Sequence, residues 1–525
     1  MKLHAPTVVS IIAAVYLVGI LVFGIVASRR TRNLGDYYIA GRSAPRWVAI
    51  VSGSAAVMSG FGLVGIPGLA YAFGGIGFIL QIFSLLGFST AAYLSSRKLR
   101  TLAEIREVYT IPDTLALRYP RMASAVRLVG IAGIIVGLLG YLSVELQALG
   151  VVLSSLLPVS YWTGALLGLA IVGVYTIAGG IKVGIWTDLV QFSLEMAAGL
   201  IVLVMVFVVV GGPFHALHVL ATSSSPTWRY HALAWWPAGT AGLGIGAALA
   251  WMFEFGAGMA GQPQLLAKYY VHRDVRNVRY QALGNGITMS LAALMIFSGL
   301  AMAALTVLGR APLLKNPDYA APYFFIHFVP PWLAGIAFTA LLAASMATIN
   351  GFSNILSASI TRDFMQGILH RKFNEHLGLL WGRVWTLVML VGAAVVTYFN
   401  HTLIGIAGAA AFGLLAAVFL PTVSIGLNWR RGTSAGVVAS GVIGVVGGIW
   451  ATVTGWNPGG VFGIAIVILA SLIGYVVVSL ITPAELLDPA VDAVVRMRYR
   501  RVSSSAPSES GGTSNVGSMP NDYEY

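Results

Sequence analysis

Cysteine is absent from the 525 residues, which excludes disulfides, thiolate metal sites and cysteine nucleophiles. Charge is also scarce: Asp, Glu, Lys and Arg make up 9% of the chain, against about 25% in a soluble protein. A surface so poor in charge faces lipid, where each inserted charge costs roughly 2.5–3.5 kcal/mol. The first apolar run, Thr7 to Ala27, lacks a basic leader and a small-x-small cleavage site. It therefore reads as a retained spanning helix, not a signal peptide. His-Glu-x-x-His, paired-aspartate, Gly-x-Ser-x-Gly and P-loop motifs are missing too, which argues against an enzyme.

What the chain does have is hydrophobic sequence, 58% of its residues. Apolar runs of spanning length lie at about 7–27, 47–71, 75–95, 124–152, 160–179, 186–210, 239–262, 281–308, 332–360, 380–398, 403–427, 434–454 and 461–482. This predicts an all-α integral membrane protein with thirteen transmembrane helices. The net charge of +13 does not require a nucleic-acid partner, because the basic residues sit in short clusters between these runs. Of the 31 Lys and Arg, all but Lys2, Arg229, Arg310 and Lys315 fall in alternate loops, at 29–46, 97–127, 182, 268–279, 362–383, 430–431 and from 496 on. The positive-inside rule then puts the N-terminus outside and the C-terminus in the cytoplasm of a cell that carries the chain in its cytoplasmic membrane. Residues 1–482 read as the transmembrane domain and 483–525 as a cytoplasmic tail. From about Val502 the tail is rich in Ser, Gly, Pro and Asn, too polar to offset its ordering entropy.

Two spans are interrupted in the same way. The second contains Gly62-Leu63-Val64-Gly65-Ile66-Pro67 and the seventh Gly258-Met259-Ala260-Gly261-Gln262-Pro263. Both read G-x-x-G-x-P, and they lie five spans apart, running in opposite directions. That pattern predicts a 5+5 inverted repeat, about 47–210 and 239–427, with flanking helices at 7–27 and 434–482. Unwound backbone survives in hydrocarbon only beside a cavity, ligand or ion. The plainer alternative is a packing motif, in which small residues let helices approach closely.

These segments resemble the sodium:solute symporter family, whose bacterial members include sodium/proline symporters. The resemblance spans most of residues 7–482. It rests on Tyr37-Tyr38-Ile39-Ala40-Gly41-Arg42, on Met58-Ser59-Gly60 with Gly65-Ile66-Pro67-Gly68, on Tyr175-Thr176-Ile177-Ala178-Gly179-Gly180 with Trp186-Thr187-Asp188, on Gly261-Gln262-Pro263, and on Leu342 to Thr348. It implies a leucine-transporter fold, symport of a small organic solute such as an amino acid or carboxylate, and no cofactor beyond a coupling ion. Carried over by position, the sodium ligands would be the carbonyls of Ala55, Met58 and Ala344 with side chains at Ala347 and Thr348.

Two departures bear on that site. Position 347 is Ala where the family pattern has a hydroxyl, and Val57 stands where sodium/proline symporters have an aspartate. Ser345 and Ser54 are the neighbouring hydroxyls available to compensate. Glu145, mid-span in Tyr141-Leu142-Ser143-Val144-Glu145, is a gain. An ionisable residue at membrane depth is by default a functional hypothesis. It stands as a candidate proton carrier, or as a partner for a cationic group on the solute, with a structural glutamate as the alternative. Glu254, near the seventh-span break, is a second proton-coupling candidate. Glu195 reads as hydrogen-bonded, and Asp188 as a helix-start residue that caps and gates.

For substrate, the resemblance points to Tyr141 and to Phe255 and Met259, which replace the Trp and Tyr of proline carriers, with Gln262 beside them. Ser59 and Gly60 offer a hydroxyl and backbone N–H groups suited to a solute carboxylate. Gly65, Pro67, Gly261 and Pro263 belong to the breaks. A transporter-derived sensor working through a cytoplasmic partner is the second functional class.

Overall fold

The computed structural model describes residues 5–28, 45–223 and 245–497. The motif at 37–42, Lys2, Arg229 and the tail from 498 lie outside them, as do the side chains of Tyr175 and of 178–183, Lys182 included. Among the described residues the regular elements are all helices. Apolar sequence in hydrocarbon can satisfy its backbone only this way, or as a closed barrel.

Nine described segments are long and apolar enough to cross a membrane: Thr7–Gly24, Pro120–Leu156, Gly184–Val210, Val275–Val307, Pro331–Ile368, His376–Phe399, Ile404–Ile425, Ser434–Thr454 and Gly463–Ile481. The other expected spans are helical too, but shorter or interrupted. The helices of the two breaks and their neighbours include α1 (Thr7–Ser28), α2 (Arg46–Ala55), α3 (Ile66–Phe73), α4 (Ala123–Leu156), α5 (Tyr161–Val210), α6 (Ile245–Gly256), α7 (Pro263–Lys268), α8 (Pro331–Ala358) and α9 (Ile404–Phe419).

Helix α5 covers two expected spans, 160–179 and 186–210, with no loop between them. Its 50 residues would reach about 75 Å if straight, far more than one crossing. Gly164 packs on Leu153 near the end of α4, where Ser154 bonds to Tyr319 at 3.2 Å. At the other terminus the Val209 carbonyl accepts from Arg310 at 2.9 Å, nine residues before Tyr319. Between these ends, Gly184 packs on Asn350, some five turns into α8. These contacts hold the two termini closer together than a straight helix of this length allows.

The first break lies a turn earlier than the glycine motif suggests. Helix α2 stops at Ala55, the backbone unwinds over Ala56–Ser59, and Phe61–Gly65 is already a wide π-type turn that runs into α3. Gly62 to Pro67 are thus helical. Gly65 is there for packing: a Cβ on it would fall 2.7 Å from the Ile404 methyl and 2.8 Å from the Gly405 nitrogen. In the seventh span the break does fall on the motif. Helix α6 gives way to a tight turn at Gly258–Gly261, Gln262 is extended, and Pro263 starts α7, where its missing N–H is no loss. Gly261 also packs closely, with a Cβ position 2.6 Å from the Leu420 nitrogen. Both broken helices therefore press their glycines against α9 or its C-terminal extension, Gly65 at one end and Gly258 and Gly261 at the other.

Candidate functional site

The first break is organised around Glu145. This residue is fully buried on α4, and its Oε2 accepts the Gly60 N–H at 2.7 Å. Oε1 takes a longer bond, 3.5 Å, from the Phe61 N–H. Gly62 N–H donates to Ser59 Oγ at 3.4 Å, and Leu63 N–H to the Ser59 carbonyl at 2.9 Å. Of the amides that open the half-helix, normally left without partners, those of Gly60, Phe61 and Gly62 meet side-chain acceptors inside the protein. A carboxylate at a helix N-terminus is electrostatically well placed. The Gly60 amide, expected to receive a solute carboxylate, is held by the chain's own Glu145 instead.

Glycine at position 60 permits this approach, since a Cβ there would come within 2.7 Å of Glu145 Oε2. The same position abuts Ser345 Oγ on α8, a fully buried hydroxyl. One turn along, Thr348 Oγ1 donates to the Met58 carbonyl across the break at 3.4 Å. Ala347 and Thr348 share a narrow void with Ala56, Asp188 and Lys268. Ser54 turns the other way, bonding to Thr288 at 2.7 Å and Asn285 at 3.2 Å, so it does not supplement this group.

Beside the break lies a small cavity of about 20 Å³, walled by Met58, Phe61, Tyr141, Phe255, Met259 and Phe412 among others. Such a volume admits about one water molecule. Phe61 stacks on Phe255 at 6.0 Å and Phe255 on Phe412 at 4.5 Å. Tyr141 meets Phe61 edge-on at 6.2 Å and approaches Ser59 Oγ at 3.3 Å.

These residues occupy a chain that matches the family description "Sodium:solute symporter family" over residues 37–444. The chain belongs to the sodium:solute symporter family. It is 29% identical over 500 residues to the sodium/proline symporter of Salmonella typhimurium, covering 90% of this chain and 94% of the relative. It is likewise 29% identical over 472 residues to the high-affinity proline transporter of Bacillus subtilis, covering 88% and 96%. Its fold is that of a substrate-bound, outward-open Na+-coupled sialic acid symporter, with a TM-score of 0.75 at 18% identity, covering 92% of this chain and 99% of that one. The protein is therefore a multi-pass membrane transporter and not an enzyme.

Within this symporter, several expected site residues take other positions. Gln262 does not line the cavity. Its Nε2 donates to the carbonyls of Gly258 at 3.2 Å and Phe412 at 3.0 Å, because the break leaves those acceptors exposed. Glu254 is fully buried and faces Gly413 on α9, with neither carboxyl oxygen hydrogen-bonded. The hydrogen bond expected for Glu195 is not made. The nearby polar groups Gln191 and Tyr16 bond to each other at 2.9 Å instead. Asp188 caps nothing, since α5 is continuous there. Its Oδ2 accepts from Ser52 at 2.6 Å and from the Lys268 ammonium at 2.9 Å.

Lys268, Ser52, Phe61 and Phe412 are the site neighbours that the sequence reading missed. Phe61 was within reach of it, as the residue after Gly60 in the break. A cleft of about 630 Å³ lies away from the breaks; there Arg127 and Arg362 both turn to Asp113, at 2.9 and 3.5 Å.

Proposed function

We propose that this symporter imports a small organic solute across the cytoplasmic membrane, driven by sodium, with Glu145 either carrying a proton or facing a cationic group on the solute. The reading takes residues 1–482 as one transporter domain of thirteen spans, its halves at about 47–210 and 239–427, with the N-terminus outside and the tail cytoplasmic. Alternating access then rocks the two broken helices about α9. The observation that carries the reading is the meeting of Thr348 with the Met58 carbonyl across an unwound backbone. A hydroxyl and a carbonyl at such a break are the ligands a hard cation takes. Ala55, Ala344 and Ala347 contribute backbone or wall to the same place. Membrane potential adds about 2.3 kcal/mol per charge per 100 mV to the uptake of the cation. The relatives named for proline make small cyclic amines and amino acids the first solutes to try.

The test is counterflow of a labelled solute panel into liposomes holding the purified full-length chain, under imposed sodium or proton gradients. Accumulation driven by a sodium gradient is expected. Solute binding without flux under either gradient would favour the sensor and sink the transporter reading.

A further inference from the structure

An amino acid offers a transporter two handles, an ammonium and a carboxylate. The fate of the carboxylate handle can be followed atom by atom. A half-helix that begins in mid-membrane presents free amides to an anion, yet here the amides of Gly60, Phe61 and Gly62 all have side-chain partners within the chain. The strongest of these contacts, at 2.7 Å, comes from Glu145, which lies on α4 one turn beyond the cavity residue Tyr141. No Lys, Arg or His is among the described residues that line the cavity, so no cation waits there for a carboxylate. Glu145 itself is joined to no basic side chain among the described ion pairs.

The walls are of the opposite kind. Phe61, Tyr141, Phe255 and Phe412 surround the cavity with ring faces and edges, and Met58, Met259 and Met289 fill between them. Aromatic faces attract organic cations, and alkylated ammonium groups above all. Thioether side chains are apolar and flexible, and they fit an alkyl body without asking for hydrogen bonds.

Building on the transporter reading above, we propose that the solute is an organic ammonium without a carboxylate, and that Glu145 stands where an amino-acid solute would place its own carboxylate. The chain supplies the anionic half of the complex and the solute the cationic half. Glu145 is then a specificity-determining residue. Its side chain fills the anion-receiving amides and excludes acids and zwitterions, while the aromatic box takes the ammonium.

Three probes of matched size separate the possibilities: N,N-dimethylpyrrolidinium, which is a cation only; proline, a zwitterion; and cyclopentanecarboxylate, an anion only. Binding to the purified full-length protein is read by tryptophan fluorescence and by the shift in melting temperature, and transport by counterflow in liposomes. The cation is expected to bind at least about tenfold more tightly than either acid, equivalent to ~1.4 kcal/mol. Glu145→Ala frees the Gly60 and Phe61 amides and is expected to raise proline binding by about tenfold. Glu145→Gln, which retains an acceptor for the amides, is expected to leave proline excluded. Proline or cyclopentanecarboxylate binding the unmodified protein as tightly as the cation overturns the proposal. So does a failure of the cation to bind while some other solute is transported, and in that case the transporter reading survives. If no solute of any class crosses under a gradient, the transporter reading itself falls.

Discussion

Lys268 and Asp188 lie 2.9 Å apart with each side chain only 5% exposed, and Ser52 bonds to both, at 2.8 and 2.6 Å. The three groups tie α7, which follows the seventh-span break, to α5 and to α2, which precedes the second-span break. Removing one partner of a buried pair strands the other as an uncompensated charge, at roughly 3–5 kcal/mol. Lys268→Ala is therefore expected to lower the melting temperature of the purified protein sharply, and Ser52→Ala only slightly. The double replacement Lys268→Met with Asp188→Leu is expected to recover much of the loss. A double variant no better than Lys268→Ala would mean that the pair does not hold these helices together.

Gly60 is held to glycine by what surrounds it. A Cβ there meets Glu145 Oε2, Ala148 and Ser345 on two neighbouring helices, so Gly60→Ala is expected to abolish uptake and reduce folded yield. Gly286 has open space where a Cβ would go, and Gly286→Ala is the matched control, expected to match the unmodified protein in both yield and uptake.

Thr348 supplies the one side-chain hydroxyl of the five positions proposed for sodium. Thr348→Ala is expected to raise the sodium concentration for half-maximal uptake by roughly tenfold, equivalent to ~1.4 kcal/mol. Thr348→Ser retains the hydroxyl and is expected to stay near the starting value. Ala347→Ser adds a second hydroxyl and is expected to shift sodium dependence the opposite way. Uptake that ignores sodium in all three variants would remove sodium from this position.

Asp318, in the loop after Val307, is buried against the start of α9, where its Oδ2 accepts the Ile404 N–H at 3.3 Å. Burial pushes its carboxyl up from 3.8 to about 7, and the Ile404 amide pulls the other way. The folded state thus holds a proton that the unfolded chain releases near pH 4. Stability from this group is fully present below about pH 4 and is lost as pH rises through about 7. Melting temperature is expected to fall across that window in the unmodified protein and to fall less in Asp318→Asn. Parallel slopes in the two proteins would show that another group governs the pH response.

How much of this was readable in the residues depends on what lipid penalises. Charge and unpaired backbone are expensive in a bilayer, so the apolar runs, the alternating basic loops and the interrupted helices all leave marks in the sequence. Glu145 was visible for the same reason, as a carboxylate in mid-span. Its partners were not, because they are the backbone amides of Gly60 and Phe61, some 85 residues away, and an amide carries no side-chain signature. Lys268 was counted with Arg273, Arg276 and Arg279 as loop charge. Only the fold, by folding α7 inward, brings it against a residue 80 positions earlier. The first break moved from Gly62–Pro67 to Ala56–Ser59 because glycine and proline mark both unwinding and close packing, and here α9 makes use of the second.

The central cavity, at about 20 Å³, is smaller than any solute the protein could carry. Ligand must therefore select a wider conformation, and the measured affinity equals the intrinsic one multiplied by the fraction of molecules already open. Tightness of binding in this symporter is then set partly by residues that never touch solute. Loosening the Phe255–Phe412 stack would strengthen apparent binding by favouring the open population, even as it removes a contact from the closed one.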